Sequence, residues 1–120
     1  MERIEKYREI ILQVFREYTE VPPAHGDLTD EIIVDRECDR YLWMTRGYQK
    51  HKRIHACVVR IDIINGKLWI QQDNTEGIAP ELERFGIPKE HIVLGFRSPD
   101  VRQYTGYAVG YRTLKATETT

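Results

Sequence analysis

Apolar residues recur at Ile4, Tyr7, Ile11, Val14, Phe15 and Tyr18, three or four positions apart. That spacing puts them on one stripe of a helix, predicted over residues 2–19. Glu2 and Glu5 sit early in it, where carboxylates suit the positive end of the helix dipole. Pro22-Pro23 stops the helix, because proline lacks an amide donor and its ring clashes with the preceding turn. Residues 24–29 read as a loop. The period then changes. Ile32-Ile33-Val34 is a short β-branched run, predicted as a strand over 30–36, with Cys38-Asp39 as the turn after it. The aromatic-rich stretch 41–48 continues as a second strand. Polar residues 49–52 form a hairpin loop, and 54–64 is a long β-branched strand. Asn65-Gly66 follows at once. Between apolar runs this pair marks a two-residue type I′ hairpin, since both turn positions take positive φ. Residues 67–72 return as strand four.

The hairpin predicts a register: Ile64 opposite Lys67, Ile63 opposite Leu68, Asp62 opposite Trp69, Ile61 opposite Ile70, Arg60 opposite Gln71 and Val59 opposite Gln72. Successive side chains point to opposite faces. One face then carries Val59, Ile61, Ile63, Leu68 and Ile70 and is the expected core. The other carries Arg60, Asp62, Trp69 and Gln71, polar around one indole. A slip of one residue would invert both faces, so the pattern itself argues for the register.

Thr75 or Glu76 is the expected cap of a second helix containing Pro80, Leu82 and Phe85; proline fits a first turn, whose amides lack partners. Gly86-Ile87-Pro88 is a stop signal, with glycine at the left-handed position and Ile87 packing back. Residues 91–96 read as a fifth strand or extended segment, Ser98-Pro99-Asp100 as a turn, and 101–111 as a short helix or an edge strand. The expected fold class is α+β: an N-terminal helix, a four-stranded antiparallel meander, a second helix and a short C-terminal extended segment, with the helices on one sheet face. One domain over 1–115 with a polar tail at 116–120 fits a chain of 120 residues.

Charge narrows the functional classes. Lys+Arg number 18 and Asp+Glu 19, for a net charge of −1. A domain that holds DNA through phosphates is usually basic, so autonomous DNA binding is disfavoured. Cys38 and Cys57 show no zinc-ligand spacing. Cys57, in an apolar run, is expected as a buried thiol in a reducing compartment. The charged N-terminus lacks a secretory apolar core, and no apolar run approaches the roughly 20 residues of a membrane span. The expectation is a cytoplasmic protein with no membrane association and no cofactor.

Candidate chemistry is sparse. The hairpin tip carries Arg46, Tyr48, Lys50, Lys52 and Arg53, with His51 between them. Cations and a ring at a tip can grip a nucleic acid, and equally form a solvated tip that blocks edge pairing. Asp73, Thr75 and Glu76 form an acidic cluster without the further oxygen ligands a hard cation needs. His25, His51, His55 and His91 show no nucleophile spacing with Cys57 or a serine. Gly106 to Gly110 lacks the frame of a phosphate loop. Such a chain reads as non-enzymatic. A small enzyme or ligand-binding domain would require a deep pocket lined by Asp73, Glu76, His91 and Arg102. Trp69, Gln71, Arg97, Arg102, Tyr104 and Tyr107 are the candidate protein-interface residues, because Arg, Tyr and Trp bury much area while keeping a polar handle. They form an internal cluster if the C-terminal segment covers Trp69 and a recruiting patch if it does not.

Three runs carry a resemblance: Trp69-Ile70-Gln71-Gln72-Asp73, Gly86-Ile87-Pro88-Lys89 and Ile92-Val93-Leu94-Gly95-Phe96. They are followed by Pro99, Val101, Arg102, Tyr104, Thr105, Tyr107, Ala108 and Val109 in a fixed order. Together this resembles the XisI family, the fdxN element excision controlling factors of cyanobacteria. The resemblance implies an accessory factor for a site-specific recombinase that removes a DNA element during heterocyst differentiation. It implies an XisH-like protein, and through it or directly the recombinase, as partners. It assigns no catalytic residue. Two rival readings remain beside it: an architectural factor holding DNA directly through the 46–53 hairpin, and the small enzyme or ligand-binding domain; a homodimer through the aromatic sheet face is a further expectation.

Overall fold

The computed structural model describes residues 2–20 and 27–110. Pro22-Pro23, His25, the first part of the expected 24–29 loop and the 116–120 tail lie outside them. Helix α1 spans Glu2–Thr19. Its predicted stripe is the face that seals the core: Tyr7, Ile11, Val14 and Phe15 are buried, joined by Ile10.

A five-stranded sheet follows in chain order, β1 (Asp27–Asp35), β2 (Arg40–Gln49), β3 (Lys52–Ile64), β4 (Lys67–Asp73) and β5 (Ile92–Leu94). The first four form the predicted antiparallel meander. The extended segment after the second helix joins them as β5, parallel to β4, with Leu68 opposite Ile92 and Ile70 opposite Leu94. A parallel neighbour needs a crossover. Helix α2 (Ala79–Arg84) supplies it. Strand β1 starts at Asp27, three residues before the expected boundary, because Asp27, Leu28 and Thr29 pair with Tyr48, Gly47 and Arg46. Backbone pairing to β2 overrides their polar, loop-like character.

Asn65 and Gly66 both take positive φ, 53° and 78°. The four pairs nearest that turn are as predicted, out to Ile61–Ile70. Beyond them the register differs. Gln71 is an extra residue, so Arg60 faces Gln72 and Val59 faces Asp73. A bulge of this kind shifts the count by one and increases the local twist. A second bulge skips Val58, since Trp43 pairs with Val59 and Met44 with Cys57. That rotates Cys57 off the core side. The thiol is half-buried, against the expectation of full burial, and partial desolvation pushes its pKa up.

The inner face is the predicted one. Val59, Ile61, Leu68 and Ile70 are inaccessible, and Ile63 nearly so, under α1 and α2. Each such side chain contributes about 1.5–3 kcal/mol by leaving water. Both major helices lie on this face, as expected. Neither Thr75 nor Glu76 caps α2. The Asp73 carboxylate instead accepts from the Thr75 amide (2.9 Å), the Thr75 hydroxyl (2.5 Å) and the Ile78 amide (2.8 Å). The loop entering the helix is thereby tied to the end of β4. At the other end, the Ile87 amide reaches the Leu82 carbonyl and the Gly86 amide the Glu83 carbonyl, as the stop signal predicts.

Arg8 fastens α1 to the β1–β2 turn. Its guanidinium donates from Nε and Nη2 to the two oxygens of Asp39, at 2.8 and 3.1 Å, and the Tyr41 hydroxyl donates to the same carboxylate. The Arg8 hydrogen bonds hold the Asp39 carboxyl below its usual range, against partial desolvation. A depressed folded-state pKa adds stability above the unfolded value and forfeits it as pH falls through the folded one. Resistance to urea should therefore fall from about pH 4 downward, and Asp39→Asn should remove part of that slope. Identical slopes for parent and variant would contradict the role given to this pair.

Candidate functional site

The face of the sheet away from α1 and α2 is covered unevenly. Over β4 and β5 it is closed by residues 95–110, which include a short helix α3 (Pro99–Arg102) and a bridge between Val93 and Ala108. The segment predicted as turn then helix or strand is thus a single-turn helix starting at Pro99, with an extended end. Arg102 lies over the Trp69 ring at 5.0 Å and donates to the carbonyls of Arg97, Gly95 and Val109. Desolvation alone lowers its pKa. Gly95 and Gly110 approach the indole so closely that a Cβ would come within 3.3 and 2.6 Å of ring atoms. The C-terminal segment is therefore moulded onto Trp69, and Trp69, Gln71 and Arg102 belong to an internal cluster. Tyr107 points elsewhere: its hydroxyl donates to Glu83 on α2 at 2.5 Å, and burial together with that bond pushes its pKa up to about 12. Arg97 and Tyr104 remain at the surface, Tyr104 being 80% accessible.

Beside Trp69, and opposite it in register, stands Asp62, 2% accessible. Its oxygens accept from Arg60 Nε (3.0 Å) and Nη2 (3.1 Å) and from Gln71 Nε2 (3.2 Å), and Arg40 Nε approaches to 3.6 Å. One buried carboxylate thus holds two half-exposed guanidiniums in place. Sequence alone puts Arg60, Asp62, Trp69 and Gln71 on this face but does not single out Arg40. The available signal is the alternation of Arg40, Leu42 and Met44 against Tyr41 and Trp43, which the structure places on opposite faces.

Over β1 to β3 nothing described covers the outer face. No side chain of residues 27–31, 44–49 or 52–58 is buried, so these strands project beyond the core as an arm. At its end the predicted basic tip is partly self-neutralised. Arg46 pairs with Glu31 at 3.3 Å, and Arg53 lies over the Tyr48 ring at 5.1 Å. Lys50 and Lys52 are exposed with His51, and His55 is exposed on β3.

The residues expected to line a deep pocket do not converge. Asp73 is occupied by its loop, Arg102 is on the outer face, and His91 Nδ1 is paired with the Tyr7 hydroxyl at 2.6 Å on the α1 side. Desolvation, with Arg3 and Lys67 nearby, depresses the His91 pKa. An open pocket of about 370 Å³ lies instead among Lys67, Lys89, Glu90, Tyr107 and Val109. Among the described residues no three His, Cys, Asp or Glu side chains group as metal ligands, and no helix is long and apolar enough to cross a membrane.

A helix-backed mixed sheet whose outer face is half closed by a C-terminal wrap defines the class. The XisI protein family model matches residues 1–109, and the chain belongs to that family. It is similar to a XisI-like protein from Anabaena variabilis ATCC 29413, with 39% identity, TM-score 0.79, and coverage of 86% of this chain and 95% of that one. It is also similar to the fdxN element excision controlling factor XisI from the same organism, with 32% identity, TM-score 0.76, and coverage of 89% and 98%. No protein of curated function matches significantly.

Asp62→Ala should cost about 1–3 kcal/mol, because it unties Arg60, Arg40 and Gln71 at once. Chemical denaturation checks it; a variant as stable as the parent would show that the carboxylate does not organise this face.

Proposed function

We propose that this chain is a non-enzymatic accessory factor in site-specific excision of a DNA element, acting in the cytoplasm through protein contacts. The partners are an XisH-like protein and, through it or directly, the recombinase. Membership of the XisI family and the name of the related controlling factor support the process. The observation that carries the contact reading is the outer face: fixed arginines and accessible apolar side chains stand on it, whereas the inner face is sealed by α1 and α2. Arg, Tyr and Trp at a partly open surface are what partner proteins use as anchors. Tyr104 and Arg97 are the exposed anchors of the C-terminal wrap. Trp69 and Gln71 support it from beneath, Arg102 stacks on Trp69 from within it, and Tyr107 ties it to Glu83.

A second reading keeps the projecting hairpin as a nucleic-acid contact, through Lys50, Lys52 and Tyr48 with Arg46 and Arg53. It is favoured by the exposure of the tip and weakened by the two arginines already engaged. Replacing Arg46, Lys50, Lys52 and Arg53 by alanine should leave excision unchanged if protein contacts dominate. Loss of a salt-dependent DNA retention in that variant would favour the hairpin instead.

The direct test is co-purification from the native cell. The parent should retain an XisH-like protein or another excision component, and Tyr104→Ala with Arg97→Ala should release it while Tyr107→Phe does not. Absence of every excision component from the parent's eluate would remove the proposal.

A further inference from the structure

Asp62 is the one charged residue buried among those described, and its surroundings are asymmetric. Arg40 stands across the strands from Asp62, Arg102 lies over Trp69 on Asp62's other side, and Arg60 reaches Asp62 from two positions away on β3, so three guanidiniums gather about one buried carboxylate, with the exposed Asp35 opposite Arg40 on the edge strand. Arg60 uses Nε and one side of Nη2 on Asp62. Its Nη1–Nη2 end donates to no acceptor among the described residues and emerges half-exposed from the sheet. Arg40 spends Nη1 on the Cys38 carbonyl at 2.6 Å, and its Nη2 donates to no acceptor among the described residues. A guanidinium held rigid on one edge presents its other edge as a ready fork for a carboxylate, and arginine gives up its hydration more easily than lysine. Beside this clamp runs an apolar strip. Ile33, Leu42 and Arg60 are consecutive cross-strand partners, and Met44 lies next along β2 on the same face. Ile33 is 47% accessible.

We infer that the outer face of β1 to β3 is the docking site for an acidic segment of a partner protein that also carries apolar side chains. Its carboxylates meet Arg40 and Arg60 in the field of Arg102, and its apolar groups cover Ile33, Leu42 and Met44. The inference rests on the protein-contact reading above and names the chemistry of the partner. Other occupants fit less well. A second copy packed face to face on a two-fold axis would set the same arginines opposite one another. The chain's own residues 111–120 carry Arg112 and Lys115 against Glu118, the wrong sign for the clamp. A DNA duplex, with backbones about 12 Å apart across the major groove, would span all three strands, which lie about 4.8 Å apart. It would then meet Asp27, Glu31 and Asp35, which share the outer side of edge strand β1. A single extended segment lying along β2 and β3 meets Arg40, Arg60, Leu42 and Met44, with Ile33 on its β1 side.

Fluorescence anisotropy on the full chain tests this with three probes: a Glu-rich peptide carrying spaced leucines, the same peptide with Lys for Glu, and a random-sequence DNA duplex. Two variants accompany the parent. Arg60→Gln with Asp62→Asn exchanges the buried ion pair for an amide pair, so that loss of folding does not decide the result. Ile33→Gln alters only an exposed position. The acidic peptide should bind, more weakly as salt rises, and each variant should weaken it at least about tenfold, as removal of an interfacial anchor does. Preference for the Lys peptide, or equal binding by parent and both variants, would overturn the assignment. DNA binding lost in the same variants would overturn it in favour of nucleic acid. Sedimentation of the parent as a dimer that Ile33→Gln dissociates would overturn it in favour of a second copy. If an excision component co-purifies with the parent and with both variants equally, the docking site is wrong and the accessory role stands. If the peptide results hold but no excision component co-purifies, the site stands and the role is wrong.

Discussion

A carboxylate with almost no access to water needs its charge met by donors, or its desolvation is not recovered. At Asp62 that requirement organises the outer face. Arg60, Arg40 and Gln71 are drawn to one point on the sheet. Opposite Asp62 in register, Trp69 gives residues 95–110 a platform on which Arg102 stacks. The guanidinium cluster and the seat of the C-terminal wrap both follow from where that residue falls in the alternation of β3. The inner face is ordinary by contrast. It is apolar, sealed by α1 and α2, and it supplies the stability that lets the outer face carry excess charge.

Much of this was legible before any coordinates. The stripe from Ile4 to Tyr18, the Asn65-Gly66 turn and the five apolar residues of the inner face each follow from one period and one turn rule. Gly86-Ile87 ended α2 as its chemistry requires. The misreadings share a cause. Bulges at Val58 and Gln71 shift the alternation by one, and no local residue preference announces them. Hence Cys57 turned outward and the last two predicted pairs slipped. The cap at Thr75 or Glu76 was a local inference, whereas the actual tether, Asp73 to the Ile78 amide, spans five residues of loop. Sequence does not single out Arg40 because its partner, Asp62, lies on another strand.

The candidate site divided in the same way. Trp69, Gln71, Arg102 and Tyr107 are rich in the side chains that make interfaces, and composition cannot say whether such residues face a partner or each other. In this chain Trp69, Gln71 and Arg102 face each other, and Tyr107 is tied to Glu83. Arg97 and Tyr104 face outward, as does the arm of β1 to β3. Membership of the XisI family gives these surfaces a setting.

Hydrogen–deuterium exchange of the protein with and without its co-purified excision partner would test this account most directly. Slowed exchange concentrated in β1 to β3 and residues 95–105, with α1 unchanged, is the predicted result. Protection confined to α1 and α2, or spread evenly over the chain, would contradict it.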